Sequence, residues 1–300
     1  MHPIHDELFQ AWSHYFKVVG IECPDIHGLR DYRPKVSLLA TEVEIDALQP
    51  WFAVQEIATD LLFNIYLALN HNVPAPPDDN RKLVPWALVG AASGFGASLL
   101  LTCIAGYDTP AKVQLRTYTE ALLLLVATQH DPELADHYLS ANSDAKIIDF
   151  WHKKISPSKL HKRIIEIEKQ LGFSDVEIAN LTEWRNREYQ ILSQSSHLSF
   201  LGAMMTCLSP NSVDPDILRL RLLGGLTLSS RRTLGYAATI TWHVLRLVKA
   251  KFLPINESDK PLLTISLQDP ISQRIMAGWF ALEQTIPKYL STIDADDSDA

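Results

Sequence analysis

The stretch that decides the fold is residues 83–107, LVPWALVGAASGFGASLLLTCIAGY, 25 consecutive residues without a charge. A run of that length can cross a bilayer. Trp86 and Tyr107 stand near its ends as interfacial aromatics would, and Gly90 and Gly94 have the GxxxG spacing that lets helices approach closely. Its middle, GAASGFGAS, is small rather than strongly apolar, and Pro85, Gly94 and Gly96 suit a helix wedged among protein neighbours. The expectation is a buried core helix. A nucleotide-binding loop fits less well, because no strand precedes the glycines and the third glycine of the fingerprint is missing.

Outward from this segment, apolar residues recur every three or four positions and no series of alternating strands with hairpin turns is visible. The pattern predicts an all-α protein, a single multi-helix bundle with an irregular N-terminal segment and a short acidic C-terminal tail. Residues 5–19 read as an aromatic amphipathic helix, and Val36–Ala40 as the one candidate strand. Residues 47–70 read as a helix carrying Trp51, Val54, Ile57, Leu61, Ile65 and Ala68 on one side, stopped by PAPPDD at 74–79. Asp108-Thr109-Pro110 reads as a cap and proline start for a helix to about Thr128. His130-Asp131-Pro132 starts the next, Ser174 opens one to about Leu192, and Asp214-Pro215, Ser229-Ser230 and Asp269-Pro270 open three more. The organisation expected is an N-terminal helix and irregular segment over 1–40, a helical core over 41–253, a loop and helix packed on that core over 254–292, and an acidic tail over 293–300.

Composition sets bounds on function. Hydrophobic residues at 47 % and charged ones at 21 % belong to a folded chain, and a net charge of −8 argues against a general nucleic-acid binder. Cys23, Cys103 and Cys207 are isolated and form no CxxC, so neither a disulfide framework nor a cysteine zinc site is indicated. With no secretory signal in MHPIHDELFQ, a cytoplasmic location is expected. No cofactor and no metal site are expected: the histidines lack the pairing of a zinc helix, and Asp131, Glu133, Asp136 and His137 only approximate a cation site. Residues 152–170, HKKISPSKLHKRIIEIEKQ, are the one locally basic stretch. They read as a solvated helix face, with RNA or another anionic partner as the alternative.

The candidate site comes from polar residues set in apolar helices. Arg116 and Glu120 stand at i and i+4 and can pair on one face. Tyr189, Ser193 and His197 repeat every four residues along another helix. If the two helices are neighbours, these five make a buried polar cluster. In a structural reading the cluster is a lock. In a catalytic one His197 is the acid–base group, Arg116 holds an anion, Tyr189 or Glu120 orients the imidazole, Ser193 contributes binding, and Arg187 or Arg185 contacts phosphate.

A small-residue helix (91–106), a glycine turn, an R-x-x-x-E helix at Arg116 and Glu120, and a Y-x-x-x-S-x-x-x-H element at Tyr189, Ser193 and His197 together resemble the bacterial family called domain of unknown function 5677, over roughly residues 50–205. The resemblance implies a helical bundle and no established activity. The HEPN ribonucleases of toxin and phage-defence systems place an arginine four to seven residues before a histidine. Here the nearest arginines before His197, Arg187 and Arg185, lie ten and twelve away. The sequence therefore points to a binding protein acting on a protein partner or its own copies. The aromatic residues Phe9, Trp12, Trp279 and Phe280 at the two ends call for cover. The alternative is a nuclease-like hydrolase using His197 with Arg116 or Arg187.

Overall fold

The computed structural model describes residues 3–23, 42–70, 75–197, 229–254 and 260–295. These hold ten α-helices and no strand. In chain order they are α1 (Pro3–Val19), α2 (Glu42–Leu69), α3 (Asn80–Ile104), α4 (Asp108–His130), α5 (Pro132–Ser140), α6 (Asp144–Phe150), α7 (Pro157–Gln170), α8 (Asp175–Ser196), α9 (Ser229–Phe252) and α10 (Pro270–Ala295), with a single π turn, Trp151–Ile155, between α6 and α7. The strand expected at 36–40, the helix opening at Asp214-Pro215, and Cys207 lie outside the described residues.

The helices begin and end where short-range chemistry directs. The Asp79 carboxylate accepts from the backbone N–H of Arg81 at the start of α3, and that of Asp131 from Leu134 at the start of α5, where Pro132 occupies the first turn. Ser174 and Glu177 form a reciprocal capping box on α8. Asp269 accepts from Ile271 and Ser272 to open α10. Gly106 and Gly172 turn the chain after α3 and α7 with φ of 81° and 82°, where a Cβ would be strained.

Three expected boundaries move. Helix α4 begins at Asp108, which is not a cap: its carboxylate accepts from the Thr233 hydroxyl at 2.7 Å and pairs with Lys112 at 2.8 Å. Helix α2 begins at Glu42, so Pro50 lies inside it. Helix α10 continues to Ala295, into the expected acidic tail.

Helices α4 and α9 form the centre. Helix α3 packs on α4 and α2, while α2 also meets α9 and α10; on the other flank α7 and α8 lie against α4. Helix α9 is buried almost throughout, including Tyr236, Ile240, Val244 and Val248. Helices α1 and α10 close on each other. Trp12 and Trp279 are buried there, His14 and Tyr15 lie against Phe280, and Glu7 receives hydrogen bonds from Lys288 and Tyr289, each at 2.8 Å. Trp12 and Trp279 are thus covered within the chain, and Phe9 and Phe280 are partly covered.

Among the described residues two helices, over Leu48–Leu69 and Arg81–Ile104, are long and apolar enough to cross a membrane; 67 % of the first apolar window and 44 % of the second are buried inside the protein. Helix α3 is therefore not enclosed on every side as its composition suggested. Gly90 and Gly96 face protein: a Cβ on Gly90 would come within 2.9 Å of the Tyr66 ring, and one on Gly96 within 2.9 Å of the Thr59 hydroxyl. Gly94 faces open space. Ala87, Ala91, Gly94, Ala97 and Leu101 line the exposed side.

Candidate functional site

Helices α4 and α8 are neighbours, and the expected polar cluster forms between them with one exchange of membership. Arg116 is its hub. Its Nε donates to Glu120 Oε1 at 3.2 Å, one Nη1 contact goes to the Ser196 hydroxyl at 3.1 Å and another to His197 Nε2 at 3.1 Å, and Nη2 donates to the Tyr189 hydroxyl at 2.9 Å. The guanidinium also lies 5.2 Å from the centre of the Tyr189 ring. Ser196 takes the place assigned to Ser193: the His197 backbone N–H donates to the Ser193 carbonyl at 3.0 Å at the end of α8, and the imidazole reaches Arg116 beside the Ser196 hydroxyl.

The electrostatics follow from this geometry. A guanidinium only donates, so in its contact with Arg116 the His197 Nε2 can serve only as the acceptor. Burial raises the Tyr189 phenol above its ordinary pKa. Arg116 pulls it down and Glu120 pushes it up. His161, packed edge-on against Tyr189 at 5.4 Å, is lowered mainly by burial, against the hydrogen bond it donates to Asn186 Oδ1. Arg116 and Glu120 keep side-chain exposures of 18 % and 21 %, so solvent reaches the cluster, but four groups of the same chain already occupy the guanidinium.

A second polar cluster, deeper and not anticipated, ties three helices together. Arg185 on α8 makes a two-pronged pair with Glu168 on α7, and His243 on α9 lies 2.9 Å from Glu168 Oε1 and 3.1 Å from Arg185 Nη1. All three side chains are 1 % exposed or less. Arg185 therefore cannot meet a phosphate at the surface as expected: it is enclosed, with its charge answered by Glu168. Burial pushes Glu168 up, yet the hydrogen bonds from His243 and Arg185 outweigh it and hold the carboxyl below the usual range. For His243 burial wins, and its pKa is lowered despite the Glu168 carboxylate. The neutral ring donates Nε2–H to Glu168 and leaves Nδ1 buried without a hydrogen-bond partner. Arg187 stays at the surface, 3.5 Å from Glu188, which Arg232 also holds at 2.7 Å.

The sequence did contain a signal for this cluster. Leu160, Ile164 and Glu168 repeat every four residues, so the carboxylate continues the apolar stripe of α7. Arg185 sits midway between Ile178 and Leu192 on the buried stripe of α8. Among the described residues, no group of three His, Cys, Asp or Glu is placed to hold a metal ion. Asp131 is engaged in capping α5 and in an ion pair with Arg163 at 2.6 Å.

The fold and these clusters define an all-α bundle with one partly exposed and one enclosed polar network. Comparisons of the chain with protein-family models, with curated proteins and with solved structures give no match.

Proposed function

We propose that the chain is a helical binding protein that acts through contact with another protein surface, a second copy of itself in the first instance. The observation that supports this is the outer side of α3. Ala87, Ala91, Gly94, Ala97 and Leu101 are exposed there, Leu101 by 63 %, and no charged residue occurs from Leu83 to Tyr107. Small side chains let a second helix approach closely, and an uncharged face can meet its own copy across a two-fold axis without placing like charges together. The ends of the chain no longer support self-association, since α1 and α10 cover each other.

The hydrolase reading, of the kind toxin and defence systems use, has less support. His197 Nε2 is occupied by Arg116, whose other donors are engaged by Glu120, Ser196 and Tyr189, so neither a free base nor a free anion clamp is present in this arrangement. Light scattering on the full chain and on Ala97→Glu and Leu101→Glu variants tests the proposal. A dimer that both substitutions convert to monomer is expected. A parent that remains monomeric at tens of micromolar and captures no partner through α3, or RNA or DNA cleavage lost in His197→Ala, would overturn it.

A further inference from the structure

A separate part of the surface has a different character. From Asn142 to Asp149 every residue is exposed, so α6 stands out from the bundle as a projection between α5 and the π turn. It carries Ile147 and Ile148, 51 % and 59 % exposed, with Trp151 one turn on and half-buried. Lys146, Lys153 and Lys154 flank them in the chain, with Lys153 paired to Asp149 at 2.6 Å. Over 142–155 the projection carries three lysines against the two aspartates Asp144 and Asp149, although the chain as a whole is strongly acidic.

The projection is held in shape. Phe150 and Ile155, five residues apart, are both buried; a regular α-helix would turn them to nearly opposite sides, whereas the wider π turn brings both inward and leaves His152 and Lys153 outward. Lys159 Nζ donates to the carbonyls of His152 and Lys153 at 2.8 and 2.9 Å, tying down the end of the turn.

We propose that the projection of α6 and the π turn docks on an anionic lipid surface, with Ile147 and Ile148 entering the headgroup–acyl boundary and the surrounding lysines meeting the headgroups. Its charge is complementary to an anionic bilayer, which attracts basic segments. A projecting apolar tip enters a lipid boundary without the concave pocket that a protein partner would have to supply. Single-stranded nucleic acid calls for aromatic and arginine stacking surfaces, whereas the most exposed side chains of α6 are isoleucine and lysine, with Trp151 half-buried behind them.

Co-sedimentation of the full chain with vesicles of phosphatidylcholine, with and without about one-third phosphatidylserine, tests the proposal. Binding only to the mixed vesicles, weakened by salt, is expected. Ile147→Ser/Ile148→Ser should lower the partition coefficient about tenfold, and Lys146→Gln and Lys154→Gln about fivefold each. Both isoleucines are exposed, so the double variant should keep the parent circular dichroism and melting temperature. No sedimentation with mixed vesicles, equal binding to phosphatidylcholine alone, or binding unaffected by the isoleucine substitutions would overturn the proposal. So would retention of single-stranded RNA, or an oligomer that depends on Ile147 and Ile148. The α3 variants do not touch this surface, so the two proposals fail independently.

Discussion

Replacing Glu168 by leucine isolates the energetics of the enclosed triad. The substitution keeps the volume of the site near that of the carboxylate and strands the Arg185 charge, whose side chain is 1 % exposed, with His243 beside it. Breaking a buried pair by removing one partner costs about 3–5 kcal/mol. Unfolding entropy scales with length, so for 300 residues 1 kcal/mol corresponds to roughly 1.6 °C and the variant should melt about 5–8 °C below the parent. Because the pair is out of water, 1 M salt should leave most of this difference in place. The triple variant Glu168→Leu/Arg185→Met/His243→Leu removes every charge at once and should recover to within about 2 °C of the parent or exceed it. Calorimetry at pH 7.5 reads all three proteins. A single variant as stable as the parent, or a triple variant as unstable as the single one, would refute the view that Glu168 serves to neutralise Arg185.

Glu56, driven up to about 8 by burial and then by Asp60, should be protonated near neutrality; a folded pKa above the unfolded one means stability falls as pH rises from about 4.5 through 8, and melting of Glu56→Gln against pH should lose that slope and lie above the parent at pH 9. Gly94→Ala should stabilise by about 0.5–1 kcal/mol, since the new methyl meets nothing within 4 Å, whereas Gly90→Ala should gain nothing or lose stability because it crowds the Tyr66 ring; chemical denaturation of both compares them directly. His197→Ala should cost less than about 1 kcal/mol, since its ring is exposed and Arg116 keeps three other partners, while Arg116→Ala, which unties Tyr189, Glu120 and Ser196 together, should cost more; thermal melts decide the order.

The helical class was legible because periodicity and cap chemistry are local: Asp79, Asp131, the Ser174–Glu177 box and Asp269 all act within three residues of themselves. The polar stripes on α4 and α8 are legible in the sequence while their pairing is not, and in the fold Arg116, Glu120, Tyr189 and His197 do meet. Ser193 is the member the spacing misplaces: Arg116 Nη1 meets the Ser196 hydroxyl instead. Asp108 failed similarly, since its partner Thr233 is 125 residues away. The triad of Glu168, Arg185 and His243 was missed because a carboxylate in HKKISPSKLHKRIIEIEKQ looks like part of a solvated charge run until its position on the Leu160–Ile164 stripe is given more weight than its neighbours' charges. The triad also requires three helices to converge, which no spacing within one helix reports.

The closure of α1 on α10 has a consequence for the order in which the chain is made. The first helix leaves the ribosome with Leu8, Trp12 and Phe16 on one side, and most of their cover comes from a helix that begins at Pro270. At about 5–20 residues per second, the aromatic side of α1 waits on the order of tens of seconds for its partner. During synthesis it must remain exposed or be held by something else until α10 has emerged.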